Sequence, residues 1–291
     1  MLPKELLKEI RKIEIKTRFL VDSVYSGGYR SFFKGQGIEF AGIREYNRGD
    51  EYRSIDWKVS ARSGNLHIRE HIEERELQVV VALDLSGSMS FGSGKREKRE
   101  TAVEFAAAIG MSAVENNDRF GTIMFTDSVE KYSSPCKGKT HFLKAIRDLL
   151  YFLPKNRSTD FKPALNMLNN TLRHRSVVFL VTDFVEPGTY EREMRITAAK
   201  HDLILVRIRD KREADFPEVG LIELEDPETG EEILWDTSDR KKIDALKAAL
   251  IEKDKEYRMF AEKNGIDLVE LTAGESVVKP LCSLFSSRGK R

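Results

Sequence analysis

The chain has 291 residues, enough for one sizeable domain and a smaller appended module. Its 49 Lys and Arg residues balance 48 Asp and Glu residues, and the net charge of +1 argues against nucleic-acid binding and against a general attraction to anionic membranes. Cys136 and Cys282 fit neither a disulfide framework nor a paired-cysteine metal site, so we expect a reducing, cytoplasmic location.

Residues 1–20 predict an amphipathic helix with Leu6, Ile10 and Ile13 on one face. Acidic residues are mixed with basic ones on the other face, so we expect this helix to dock against protein rather than to lie on a membrane surface. The sequence has neither a secretory apolar region nor a run of about eighteen apolar residues, as a membrane span requires. Membrane association is therefore not expected.

Residues 21–76 carry glycines among aromatic and charged residues without a helical period, which predicts a small β-rich module. The pattern changes at 77–83, an apolar, β-branched run typical of a strand that is buried on both faces. We expect a parallel sheet to begin there and a second domain to extend over 77–291.

Beyond residue 83, predicted strands alternate with predicted helices. The strands are expected at 119–125, 176–182, 203–208 and 267–271, and the helices at 97–115, 139–153, 161–173, 190–200, 238–263 and 275–286. This alternation predicts an α/β fold, a doubly wound and mostly parallel sheet with helices on both faces. Short strands at 221–224 and 232–235 flank a turn-forming segment and predict an inserted β-hairpin.

Polar residues follow two of the apolar strands, where open α/β sheets bind their ligands. The first strand runs into Asp84-Leu-Ser86-Gly-Ser88, and the central strand runs into Asp183. A third polar loop contains Thr159 and stands just before a helix. In a doubly wound sheet these three loops can meet in one crevice.

The oxygen groups of these loops suit a hard cation. Mg²⁺ prefers oxygen ligands, keeps several waters and takes only one or two carboxylates from protein. Asp84 and Asp183 would supply the charge, and Ser86, Ser88 and Thr159 the neutral oxygens, with Mn²⁺ or Ca²⁺ as alternatives to Mg²⁺. The loop alone leaves another interpretation open, in which Asp84 and the serines only cap a helix or form local turns.

The same five residues resemble the metal-ion-dependent adhesion site of von Willebrand factor A and integrin I domains. That pattern is Asp-x-Ser-x-Ser after the first strand, a Thr in a middle loop and an Asp after the central strand. The resemblance implies a von Willebrand factor A-like, Rossmann-like domain. It also implies that the serines, and sometimes the threonine, touch the ion while an Asp or Glu of a protein partner completes its coordination.

The front module is similar to the signature of domain of unknown function family 58. The resemblance rests on 35–40, 44–46, 49–50, 53, 55–58 and 60–62. Members of that family commonly accompany MoxR-type AAA+ ATPases, which implies an adaptor or co-chaperone that acts in maturation of a client complex. Many members carry N-terminal membrane helices, and we expect none here. We expect Asp50, Arg53, Asp56 and Arg62 to form a structural network beneath Trp57.

Other functions fit the sequence less well. Ser86 stands where a haloacid dehalogenase would need a second acid, and the Gly-x-Ser-x-Gly of a serine hydrolase is absent around it. His67 and His71 have the spacing of helical zinc ligands but lie in a segment that is predicted to be extended. A metal-dependent hydrolase at the same site remains the alternative, although none of the five histidines falls in its loops, so we expect no enzyme.

Residues 92–96 end like a phosphate-binding loop, but Arg96 replaces its Ser or Thr. The basic residues that follow alternate with Glu97 and Glu100, which argues against a nucleic-acid stripe. We expect Lys98 and its basic neighbours to lie on a solvated helix face.

Overall fold

The computed structural model describes residues 40–47, 50–52, 55–71, 76–94, 96–183, 187–213 and 219–288. The expected helix at 1–20 and the first part of the β-rich module lie outside the described residues. Within the described ranges, no helix combines the length and the apolar character needed to cross a bilayer.

The described elements alternate between strands and helices over most of the chain. The strands are β1 (Phe40–Glu45), β2 (His67–His71), β3 (Gln78–Asp84), β4 (Arg119–Phe125), β5 (Val129–Cys136), β6 (Val177–Thr182), β7 (Asp202–Arg209), β8 (Leu221–Glu225), β9 (Glu232–Asp236) and β10 (Asp267–Thr272). The α-helices are α1 (Trp57–Ser63), α2 (Lys98–Glu115), α3 (Lys139–Tyr151), α4 (Phe161–Thr171), α5 (Pro187–Lys200), α6 (Arg240–Lys263) and α7 (Val278–Arg288).

Six strands form the central sheet in the order β10-β7-β6-β3-β4-β5, and only β5 runs antiparallel to its neighbour. In sequence, β3 is the first strand of this sheet. The chain then adds β4 and β5 on one side of β3, and β6, β7 and β10 on the other side. Strand order therefore reverses between β3 and β6, which makes the sheet doubly wound. The predicted α/β fold class is confirmed.

Two apolar clusters cover the two faces of this sheet. Val79, Val81 and Leu83 of β3 point into the cluster that α2, α3 and α7 complete, whereas Val80 and Ala82 point into the cluster of α4, α5 and α6. Successive side chains of a strand point to opposite faces, so an unbroken apolar run is what a strand between two helical layers requires. This packing fixes β3, and with it the position of the loop that follows.

Antiparallel β5 was not predicted, and it forms one edge of the sheet. Its register with β4 shifts at two places, and Pro135 stands at one of them, next to Gly121 of β4. Its side chains are half-buried or exposed, so β5 lacks the apolar run that made the central strands recognisable.

The front module contains a two-stranded antiparallel sheet of β1 and β2, with α1 between them in sequence. Asp56 caps α1 by accepting hydrogen bonds from the backbone N–H groups of Lys58 and Val59 at 3.0 and 3.2 Å. Asp50 pairs with Arg44 at 2.7 Å. Trp57 is 57% exposed, which does not fit the covering position expected of it. Arg53 lies outside the described residues, so the expected network stays a prediction.

Candidate metal site at the sheet switch point

The strand ends β3 and β6 lie side by side, and their following loops leave at the point where the strand order reverses. Asp84 is the last residue of β3, and Asp183 directly follows β6. Crevices that bind ligands in doubly wound sheets form at this position, because the loops diverge to opposite faces. The fold thus brings the two predicted carboxylates to one place.

Asp84 is fully buried, and both of its carboxylate oxygens have partners. One oxygen accepts a hydrogen bond from the backbone N–H of Ser86 at 2.8 Å, and the other accepts one from the hydroxyl of Thr182 at 2.9 Å. These two bonds fix the orientation of the carboxylate and start the turn after β3. Thr182 was not among the predicted site residues, although it directly precedes Asp183.

The electrostatic environment of Asp84 favours a nearby cation. Burial, joined by the negative charge of Asp183, raises the pKa of the Asp84 carboxyl from 3.8 to about 7, against the hydrogen bonds from Ser86 and Thr182. A carboxylate that is costly to ionise without a counter-charge gains most when a cation is placed beside it.

The hydroxyl oxygens of Ser86 and Ser88 lie 3.1 Å apart, at the start of a short 3₁₀ turn over Gly87–Ser90. Two oxygens at neighbouring positions of an octahedral Mg²⁺ ion, each about 2.1 Å from it, are separated by about 3 Å. The spacing of the two hydroxyls therefore fits ligands that share one small cation.

Thr159 lies in the loop between α3 and α4, which contacts the turn after β3. The carbonyl oxygen of Arg157 accepts a hydrogen bond from the N–H of Gly87 at 2.8 Å, which joins this loop to the turn after β3. The hydroxyl of Thr159 donates to the carboxylate of Glu228 at 2.8 Å. Glu228 lies in the hairpin turn, and no feature of the sequence pointed to its presence here.

Asp183 is held by a lysine. Its carboxylate accepts a hydrogen bond from the ammonium group of Lys98 at 2.6 Å, and the same ammonium also contacts Glu213. Burial alone would lower the pKa of Lys98, but the charges of Asp183 and Glu213 outweigh it and raise that pKa.

Lys98 is 1% exposed, so the expectation of a solvated face was wrong for this residue. The helix begins at Lys98, whose ammonium group contacts two carboxylates, those of Asp183 and Glu213. Long-range pairing overrides the surface preference of lysine in such a position.

The donors at this edge are hydroxyl and carboxylate oxygens, as Mg²⁺, Mn²⁺ and Ca²⁺ prefer. In the ranges that the structure describes, no three His, Cys, Asp or Glu side chains group together as metal ligands would. A cation here would therefore depend on the hydroxyls of Ser86, Ser88 and Thr159 and on water, in addition to Asp84 and Asp183. The assignment of these five residues as ligands stays a prediction.

Comparison with known proteins places the chain in a family. The sequence profile of the family described as protein of unknown function DUF58 matches residues 42–256. Uncharacterized proteins of Mycobacterium bovis and Mycobacterium tuberculosis are each 29% identical over 228 residues, which cover 78% of this chain and 72% of theirs.

Solved structures with a similar fold include the conserved hypothetical protein BatB from Bacteroides thetaiotaomicron. It has a TM-score of 0.47 and 15% identity, over 74% of this chain and 100% of that chain. Proximal thread matrix protein 1 from the mussel byssus, solved with a zinc-occupied MIDAS motif, has a TM-score of 0.36 and 20% identity, over 46% of this chain and 38% of its own.

Proposed function

This chain belongs to the DUF58 family, and we propose that it is a cation-dependent protein-binding module. In this proposal the loops at the switch point hold Mg²⁺ through Asp84, Ser86, Ser88, Thr159 and Asp183. The partner contributes an Asp or Glu side chain. The chain carries out no reaction itself and works in the cytoplasm.

The observation that carries the proposal is the close pairing of the Ser86 and Ser88 hydroxyls beside a buried, oriented carboxylate. The 3.1 Å separation of the hydroxyls suits two ligands of one small ion. The raised pKa of Asp84 adds an electrostatic reason for a cation at this position.

The residues of the site have different roles in this proposal. Thr182 and the backbone of Ser86 orient Asp84, the serine hydroxyls supply neutral oxygens, and Lys98 balances part of the charge of Asp183. When bound, Mg²⁺ keeps open positions that an incoming carboxylate can fill. Since only two of the five proposed ligands are carboxylates, the ion stays able to attract a further carboxylate.

We further propose that the partner is a MoxR-type AAA+ ATPase or the client of that ATPase, and that this chain acts as an adaptor or co-chaperone. This partner is what the resemblance of the front module to the family implies. The proposal of binding without catalysis rests on the sequence of the site loops. The five histidines, at 67, 71, 141, 174 and 201, lie outside the three loops that carry Asp84, Thr159 and Asp183, so those loops offer no histidine base for water activation.

A pull-down tests the binding proposal. The tagged chain is offered the candidate ATPase in Mg²⁺ and in EDTA, and the same assay is run with Asp84→Asn. As a matched control, Asp244→Asn removes an exposed carboxylate of α6, far along the sequence from the site. We expect capture by wild type and by the control in Mg²⁺ only, and none by Asp84→Asn. Undiminished capture in EDTA would contradict a cation-dependent interface.

A turnover assay separates the module from a hydrolase that uses the same ion. The wild-type chain is incubated with phosphoester and peptide substrates, with Mg²⁺ and without. We expect no turnover in either condition. Hydrolysis that Mg²⁺ supports and Asp84→Asn abolishes would replace the binding proposal with an enzymatic one.

A further inference from the structure

The turn of the β8–β9 hairpin lies against the loop that carries the serines. A side chain at Gly87 would place its Cβ 1.9 Å from the carbonyl oxygen of Pro227, so the two backbones touch at this point. One residue further along the turn, the carboxylate of Glu228 accepts the hydrogen bond from Thr159. Two separate contacts therefore hold the same turn over the site.

The turn has its own internal framework. Asp226 accepts hydrogen bonds through its side chain from the backbone N–H of Glu228 at 2.9 Å and of Thr229 at 3.4 Å. Its backbone carbonyl accepts one from the N–H of Gly230 at 2.7 Å, and Gly230 takes a φ of +74° that suits glycine. The hydrogen bonds within the turn thus orient Glu228 independently of its contact with Thr159.

The hairpin also stands apart from the central sheet. In the described part of the chain, β8 pairs with β9, and neither strand joins the six-stranded sheet. An element held in this way can move as a unit without breaking the hydrogen bonds of the sheet. Glu228 therefore belongs to a hairpin that is separate from the central sheet.

We propose that Glu228 is an internal acidic ligand of the metal site, and that it takes the coordination position that a partner's carboxylate would otherwise fill. In this structure its carboxylate contacts Thr159 and does not form a ligand group with Asp84 and Asp183, so it would join the ion only when a cation binds. This inference rests on the proposed function, since it assigns a competitor at the same position. The carboxylate oxygen lies 2.8 Å from the hydroxyl of Thr159, close to the separation of about 3 Å expected for neighbouring oxygens around one Mg²⁺ ion. A hydroxyl can donate its proton to Glu228 while its oxygen faces a cation, so both contacts are compatible.

A tethered carboxylate has a large advantage over a free one. Short connections give effective concentrations on the order of millimolar, so a single acidic side chain in solution competes poorly. A partner must therefore bring an Asp or Glu together with further contacts that lift the turn away from Gly87 and Thr159. Without a partner, Glu228 would occupy the open coordination position. Only a partner that also displaces the turn would reach the ion.

A neutral replacement of Glu228 distinguishes a metal ligand from a residue that only holds the turn in place. In Glu228→Gln the amide oxygen can still accept the hydrogen bond of Thr159, but the negative charge that binds a cation is lost. Glu223→Gln makes the same charge change at an exposed position of β8 and serves as the matched control. Glu228→Ala removes both the charge and the acceptor.

The probe is Mn²⁺, whose affinity is measured by electron paramagnetic resonance of the free ion and whose bound waters are counted by water-proton relaxation. We expect Glu228→Gln and Glu228→Ala to bind Mn²⁺ on the order of tenfold more weakly than wild type and to leave more water on the bound ion. Glu223→Gln should match wild type, and the circular dichroism spectra of all variants should agree.

The outcomes distinguish the two proposals. If wild type binds Mn²⁺, Asp84→Asn does not, and Glu228→Gln equals wild type in both affinity and bound water, then Glu228 is only an anchor and this inference is overturned while the proposed function stands. If wild type itself shows no binding that Asp84→Asn abolishes, the proposed function fails and this inference fails with it.

Discussion

The ammonium group of Lys98 lies 2.6 Å from the carboxylate of Asp183, 85 residues further along the chain. Lys98 is buried, and its pairing extends to Glu213. The chain thus carries a positive charge of its own beside the proposed metal ligands. It follows that the loops at the switch point can be held together in the absence of a cation.

Lys98→Met removes this charge and leaves Asp183 facing other carboxylates. Breaking a buried ion pair from one side costs about 3–5 kcal/mol, and we expect the lower end, since Glu213 is partly exposed. Chemical denaturation in EDTA measures the loss, and Mg²⁺ should restore part of it. Lys144→Met, at an exposed position of α3, is the control. Equal stability of both variants would show that the pair contributes nothing.

The pKa of Asp84 predicts how stability depends on pH. The folded carboxyl keeps its proton up to about pH 7, whereas the unfolded one loses it near 3.8. The cation-free protein should therefore lose stability as pH rises through this window, because the folded state binds more protons than the unfolded state. Added Mg²⁺ should raise the melting temperature more at pH 8 than at pH 6. An increment that is equal at the two pH values, or that persists in Asp84→Asn, would contradict this.

Asp84→Ala should abolish cation binding and also reduce stability. The variant leaves the buried N–H of Ser86 without its acceptor, at a cost of about 1–3 kcal/mol, and removes one contact of the Thr182 hydroxyl. Asp84→Asn keeps an acceptor oxygen and should lose the cation at a smaller cost. Calorimetric titration with Mg²⁺, alongside thermal unfolding, tests both variants. Binding that matches wild type in Asp84→Asn would place the cation elsewhere.

Gly87→Ala should push the hairpin turn away from the site. The added Cβ meets the backbone of Pro227, which cannot swing aside as a side chain would, and such overpacking costs about 1–3 kcal/mol. Hydrogen exchange should become faster at residues 226–230. Gly94→Ala is the control, since a Cβ there meets nothing within 4 Å. Unchanged exchange in Gly87→Ala would show that the turn does not rest on this loop.

The sequence predicted the central sheet well because its strands are buried on both faces. The apolar runs of β3 and β6 and the turn of the hairpin each carry a local signal. Strand β5 has no such signal, because a half-exposed strand at the edge of the sheet does not require an apolar pattern. Its start is marked only by the turn at 126–128.

The sequence identified the candidate ligands of the site but not the residues that contact them. Asp84 and the two serines follow one strand in a fixed spacing, so a pattern can identify them. Lys98 meets Asp183 across 85 residues, and Glu228 meets Thr159 across 69. Both contacts depend on how the loops and the hairpin pack. The local sequence around Lys98 or Glu228 therefore predicts neither contact.

The irregular edge strand β5 has a consequence for assembly. An open strand invites another chain to pair with it, but shifts of register, a proline and charged side chains oppose such pairing. β5 combines two shifts of register with Pro135 and with the charges of Glu130 and Lys131. Continuous sheets that run from one molecule into the next are thereby disfavoured on this flank, and association of copies there must use side chains rather than shared backbone ladders.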